Sequence, residues 1–240
     1  MRLALRTRPG VLAAAVFALA LVMFLPLRLV LGLAGIGDQG LAARRVDGSI
    51  WKGQLVEASV GSAALGDLDA RLSPLPLLLG RARLVLDSVV DAPGRTVHGA
   101  VTSGRHGFGI ENMTADVGVG RLFAPLPVTR LSLDGVTVRF ADERCDVAEG
   151  RVRASLASAM GGLPLPGSLS GALSCAGGAL LVPLVSAGGG EAVRLTITSD
   201  GRYHADFTVQ PPDPATAQRL ALAGFVEAAG GWRLSVEGRL

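Results

Sequence analysis

Residues 130–140 read RLSLDGVTVRF. Leu131 and Leu133 alternate with polar neighbours, and so do Val136, Val138 and Phe140, the period-two signature of half-buried strand. A two-residue Asp134-Gly135 turn pairs Leu133 with Val136 and brings both apolar sets onto one face. The stretch predicts two antiparallel strands joined by a hairpin.

The same test applied to VRLTITSDGRYHADFTV, residues 193–209, gives a different loop. A two-residue turn would set Ile197 against His204 and mix the faces. A three-residue loop, Ser199-Asp200-Gly201, pairs Ile197 with Tyr203, Leu195 with Ala205 and Val193 with Phe207. Gly201 then takes the left-handed position of a bulged turn. That register is preferred because a one-residue slip would expose the apolar set.

Further period-two stretches lie at 54–60, 66–72, 81–89, 96–103, 109–117, 150–156, 169–174, 179–185 and 232–240. Gly- and Pro-containing turns separate many of them. About ten to thirteen antiparallel strands predict an all-β fold: an extended, curled meander over one apolar face, with one or two short helices. Two stretches break the pattern. SPLPLLLGR, 73–81, predicts a short helical turn packed on the sheet. In DPATAQRLALAGFVEAAGG, 213–231, Asp213 is placed to cap a helix, Pro214 to start it and Gly230 to stop it. A face through Leu220 and Ala223 runs into Glu227, so the face through Leu222, Phe225, Val226 and Ala229 is expected to be buried.

The first thirty residues are of another kind. Arg2, Arg6 and Arg8 precede GVLAAAVFALALVMFLPL, residues 10–27, which carry no charge, and Arg28 follows. Eighteen residues of helix rise about 27 Å, close to the thickness of a bilayer core. A cleavable signal peptide has a shorter apolar region ending in small residues at a cleavage site; this run ends at Pro26. The reading is a cytoplasmic N-terminus at 1–9, a transmembrane anchor at 10–31, a linker at 32–45 and a periplasmic all-β domain at 46–240. The arginine distribution sets this orientation in the inner membrane.

Of 23 basic residues 22 are arginine, dispersed among 20 acids. No basic cluster accompanies aromatic residues, so a nucleic-acid partner is excluded. Cys145 and Cys175 are the two cysteines. In an oxidising compartment an even count points to a disulfide, with two unpaired buried thiols as the alternative. No ligand set at metal spacing surrounds either.

A catalytic constellation does not assemble. His98, His106 and His204 sit in strand or turn contexts as surface residues. GSLSG at 167–171 centres on Leu169, so it is no nucleophile elbow. GVGRLF at 118–123 lacks the third glycine of a dinucleotide loop. Asp67 and Asp69 share a strand face, which a solvated surface explains better than a cation site. No enzyme activity, cofactor or metal is expected.

The order of features carries a resemblance. A basic N-terminus, one anchor, VDGSIWKGQL from 46, LGDLDARLSPLPLLLGRARLVL, the cysteine segments RCDVAEGRV and GALSCAGGALLV, and the tail GGWRLSVEGRL together resemble protein N of the bacterial type II secretion system. Gly48, Trp51, Gly53, Pro74, Pro76 and Gly80 are its motif positions here, and they are structural. Gly48 and Gly53 bracket a strand start, where Trp51 is expected to plug the membrane-proximal end of the apolar face, with partner docking as second role. The resemblance implies an accessory component that supports export of folded proteins across the outer membrane. It would do so by contacts with other secretion components in the inner membrane and periplasm, held to inner-membrane lipid by its anchor. The alternative is a periplasmic lipid or hydrophobic-ligand carrier using the apolar concave face.

Overall fold

A computed structural model of the chain describes residues 10, 13, 16, 17, 20, 25–28, 41–90, 95–119, 128–157, 159, 160, 163, 164, 167–211 and 213–239. Sixteen strands form one antiparallel sheet, more than the ten to thirteen expected, and a two-stranded ribbon stands apart. The N-terminal group comprises β1 (Leu41–Ala42), β2 (Arg45–Ser49), β3 (Lys52–Val60) and β4 (Ala63–Leu72). The helix α1 (Pro74–Leu78) leads to β5 (Arg81–Ser88), β6 (Arg95–Gly104), β7 (Gly107–Gly118), β8 (Val128–Ala141) and β9 (Arg144–Leu156). The ribbon is β10 (Ala159–Met160) with β11 (Leu163–Pro164). The last group comprises β12 (Ser168–Ala172), β13 (Ser174–Ala176), β14 (Ala179–Ser186), β15 (Glu191–Ile197), β16 (Arg202–Val209), the helix α2 (Pro214–Leu222), β17 (Val226–Ala228) and β18 (Gly231–Arg239).

From β3 to β9 the strands pair in sequence order, and the sheet continues through β12, β14, β15 and β16 to β18 and β17. It also curls back on itself, since Ala64 of β4 pairs with Gly118 of β7. Inward residues of β3, β4, β6 to β9, β12 and β14 to β16 join one buried cluster, among them Leu55, Leu68, Val97, Val152, Leu169 and Phe207, and β5 packs the half-buried Leu84 and Leu86 against it. The all-β meander is therefore as expected.

The Asp134-Gly135 hairpin is not formed. β8 runs unbroken through it for fourteen residues, paired with β7 on one side and β9 on the other. Gly135, at φ +56°, is the left-handed residue of a bulge, and the β8–β9 register shifts between Asp134 and Thr137. Neighbouring strands are interrupted at the same level. Asn112 of β7 has φ +45° and Gly99 of β6 has φ +155°, each at a register shift. In β7 and β8 the extra residue moves the apolar set to the other parity while keeping it on the same face, Ile110 to Met113 and Leu133 to Val136, and Gly99 of β6 lies opposite the β7 bulge. The row of bulges bends the sheet around its core.

The second hairpin has the expected register, with Ile197 opposite Tyr203, Leu195 opposite Ala205 and Val193 opposite Phe207. Gly201 is left-handed at φ +80°. The Thr198 hydroxyl, with the Arg202 amide and guanidinium, holds the Asp200 carboxyl down at about 2 against the pull of desolvation. Because that folded value lies below the ordinary 3.8, the turn keeps its charged bonds above that pH and loses them as pH falls through about 2.

At the tail, Asp213 caps α2 by accepting the Thr216 amide at 2.7 Å, and Pro214 stands in its first turn. The helix stops sooner than expected, at Gly224 rather than Gly230. Gly224 is left-handed at φ +89°, its N–H bonds the Ala221 carbonyl, and the Phe225 N–H bonds the Leu220 carbonyl, a glycine-terminated cap. Of the expected face only Phe225 is buried, at 3% exposure: Leu222 is 89% and Val226 68% exposed, and Leu220, expected to face out, is 1% exposed. Glu227 has left the helix for β17, so nothing charged had to be buried on the Leu220 side. Phe225 meets the Phe207 ring edge-on at 5.7 Å and covers that end of the apolar face. Thr216 N–H and its hydroxyl both bond Asp213, which lowers the carboxyl's pKa. Asp213→Ala is expected to remove amide-exchange protection across α2 while the strands keep theirs; protection unchanged in α2 would refute the capping role.

The helix α1 was expected to pack on the sheet, but it buries none of its residues. Of the expected anchor, residues 10, 13, 16, 17 and 20 are helical and the remaining positions up to 24, with 29–31, lie outside the described residues. No helix among the described residues is long and apolar enough to cross a membrane. Leu41–Ala42, within the stretch expected as linker, already forms β1 on the sheet.

Candidate functional site

The motif VDGSIWKG forms the β2–β3 hairpin. Gly48, at φ +84°, pairs with Gly53, and a Cβ on Gly53 would strike the Leu27 side chain. Residues 25–27 therefore seat on this corner: Pro26 bridges Ser49, and the Ile50 N–H bonds the Leu25 carbonyl at 3.1 Å. Trp51 is half-buried against the core, while its neighbour Ile50 is the residue fully enclosed. Pro74 starts α1, Pro76 lies within it, and Gly80 at φ +71° ends it. Nothing in the sequence pattern pointed to the contact with residues 25–27, although a glycine at 53 was its trace.

Cys145 and Cys175 form a disulfide with Cα atoms 5.5 Å apart. It joins the start of β9 to β13.

Several turns gather at the end of the sheet from which residues 25–27 depart. A cleft of about 960 Å³ opens among them, lined by Arg105, His106, Phe108, Asp142, Arg144 and Arg202 with others. Phe108 stacks on Phe140 with ring centres 5.2 Å apart. Two charge pairs lie in the cleft's rim: His106 is 3.6 Å from Asp142, and Arg202 is 2.6 Å from Asp200. His98 faces Asp87 at 3.4 Å, and His204 sits between Asp206 at 3.2 Å and Glu237 at 3.1 Å. These are surface positions, each histidine facing carboxylates. Asp67 accepts the Glu57 N–H, and among the described residues no three His, Cys, Asp or Glu side chains are arranged to hold a metal ion.

The distinctive feature is the outer edge of β18. One side pairs with β16 from Trp232 to Arg239, and β17 covers the other only at residues 231–233. Among the described residues, no strand pairs with 234–239 along that side. The inward side chains Leu234 and Val236 pack on the core yet stay half-exposed, because no strand flanks them on the outer side. On the outer face Ser235 donates to Asp206 at 2.6 Å. Burial pulls the Asp206 carboxyl upward, but this bond and the nearby His204 leave it below its ordinary value. Gly238 leaves room for the Tyr203 ring to lie across the strand. Backbone groups along an open edge are a ready template for a further strand.

A family model described as type II secretion system (T2SS), protein N, matches residues 39–235. The chain belongs to this family. Membership makes it a component of the type II secretion apparatus. The match covers the sheet from β1 into β18, so the bent meander and the disulfide lie inside it, while the open edge runs on from Leu234 past the end of the match at Ser235. No curated protein and no solved structure matched.

Proposed function

We propose that this protein N family member is an accessory component held in the inner membrane by the part of the expected 10–31 anchor that precedes Leu25, with its N-terminus cytoplasmic and residues 46–240 in the periplasm. It supports export of folded proteins across the outer membrane through contacts with other secretion components, made by strand addition along β18. The observation that carries this reading is the six-residue open edge with its half-exposed Leu234 and Val236. The disulfide agrees with an oxidising compartment. A lipid-carrier role needs an open apolar groove, whereas the inward residues Leu55, Leu68, Leu169 and Phe207 are enclosed by the cluster they form; no observation favours it.

Photoreactive residues at Ser235, Glu237 and Arg239, introduced one at a time in the native envelope, test the edge. Adducts to another secretion component are expected from these positions and not from Ala215 on α2. A strain lacking the protein is expected to release less exoprotein. Normal exoprotein release in that strain would remove the secretion role, and adducts from Ala215 alone would remove the edge.

A further inference from the structure

The four leucines of α1 and its cap, at positions 75, 77, 78 and 79, have no place in the core. Leu75 is 75% exposed, Leu78 84% and Leu79 79%, and no residue of the helix is buried. A cluster of this kind on a protein surface marks something that covers it.

Its position says what. The Leu72 N–H bonds the Ile50 carbonyl at 2.9 Å, and the Ile50 N–H bonds the Leu25 carbonyl at 3.1 Å. Leu27 is 3% exposed. The end of the apolar N-terminal run is thus fastened to the corner from which α1 projects, beginning two residues beyond Leu72. A five-residue helix is about 7.5 Å long, so the leucines lie close to the level at which the chain departs from the sheet.

The length of the run adds a second constraint. Arg8 marks its charged start, and Leu25 is already committed to the sheet. Sixteen residues, the number from 9 to 24, would rise about 24 Å if helical throughout, short of the roughly 30 Å of a bilayer core. A short span is accommodated by thinning the bilayer or by drawing its flanks inward. Here the flank is the corner bearing α1.

Charge agrees. No acid occurs between Asp69 and Asp87, a stretch that holds Arg71, Arg81 and Arg83. Arg81 is exposed, as are Lys52 on the adjoining hairpin and Arg28. Arg71 leans on Asp87 at 3.6 Å and Arg83 on Glu111 at 2.8 Å, and Asp47 lies 4.0 Å from Arg45. Leucines flanked by cations fit the boundary between acyl chains and phosphate headgroups.

We infer that α1 is a second membrane contact: its leucines insert into the periplasmic leaflet of the bilayer that holds the N-terminal run, with Lys52 and Arg81 at the phosphates. The inference rests on the anchored reading above. Two contacts fix the tilt of the sheet relative to the membrane, which one flexible tether would not, and so present the β18 edge at a set height.

The test uses the full chain in phosphatidylethanolamine–phosphatidylglycerol vesicles containing lipids with a quencher on the acyl chain. A single environment-sensitive fluorophore is attached through Leu78→Cys, Val16→Cys or Leu222→Cys; the native cysteines are already joined. Leu78 and Leu222 are both exposed, so neither change disturbs the core. Quenching at Val16 and Leu78 several-fold above that at Leu222 is expected. Quenching at Val16 with Leu78 no different from Leu222 overturns the inference while leaving the anchor intact, as when a protein covers the leucines. Absence of quenching at Val16 overturns the anchored reading and the inference with it.

Discussion

Gly150→Ala is expected to destabilise the protein by about 3–5 kcal/mol, and Gly135→Ala by only about 1–2 kcal/mol. The two glycines face each other across the same bulge, and their difference isolates what the bend requires. At Gly150, φ is +101° and a Cβ would lie 2.7 Å from both the Gly135 carbonyl oxygen and the Val136 Cα. Both obstacles are backbone, so strand β8 or β9 must move to admit a methyl group. At Gly135, φ is +56° and the nearest atom to a Cβ is the Asn112 amide oxygen at 3.9 Å. There the cost is conformational alone, and Gly135→Asn should recover most of it, as Asn112 itself occupies the left-handed region. Urea unfolding of the full chain in detergent, followed through Trp51 and Trp232, gives the comparison from midpoints at constant slope. Equal losses at the two positions would mean that the close approach of β8 and β9 at this level is not a constraint on the bend.

The same residues show where sequence reading of the fold stops. Period-two alternation located the longer strands of the sheet, because inward and outward faces differ in polarity along each of them. The alternation in RLSLDGVTVRF changes parity at Asp134-Gly135, and two structures explain a change of parity equally well. A two-residue turn reverses the chain, and a one-residue bulge lets it continue; both return Leu133 and Val136 to one face. Only the neighbours decide, through Gly99 and Asn112 interrupting β6 and β7 at the same level. The Ser199-Asp200-Gly201 loop was legible because its alternatives placed Ile197 opposite different partners, and just one kept the faces separate.

The helical segments failed for a related reason. The choice between faces at 213–231 assumed one helix as long as the apolar spacing, and that spacing continued through a glycine that ends the helix. Once Gly224 is the stop, Leu220 and Phe225 become the anchors on either side of it. In α1 the hydrophobic run was read as core because burial is the usual fate of leucine. Its exposure depends on what lies outside the protein, which no pattern within the chain encodes. The β18 edge was hidden too: alternation at Trp232, Leu234 and Val236 is the same in an edge strand and a central one, and the difference is made by β17 ending after three residues. The disulfide pairing, by contrast, followed from there being two cysteines and a compartment.

That disulfide is expected to have an effect of similar size for a different reason. Between β9 and β12 the ladder runs from Ser155–Ser168 to Arg151–Ala172 and ends there. Beyond it the Leu173 N–H bonds the Gly150 carbonyl, and the next backbone bond runs from the Cys145 N–H to the Gly178 carbonyl. Residues 144–149 and 174–178 thus flank a seam with few hydrogen bonds across it, at the junction of the two halves of the meander. The disulfide closes that seam at its far end. Its sequence separation of 30 residues corresponds to about 3–4 kcal/mol in the chain-entropy model. Cys145→Ala with Cys175→Ala should therefore lower stability by that amount, and amide exchange should accelerate first in β9 and β13, beside the seam. The loss should reach both halves, because the buried cluster is continuous from Leu55 to Phe207 and a sheet opened at its middle exposes each half's apolar face. Urea unfolding of the oxidised, reduced and double-alanine proteins separates cross-link from side chain: the reduced and alanine forms should agree. A loss below about 1 kcal/mol would show that the ladder and the shared core hold the two halves together without it, and that the bond serves some end other than joining them.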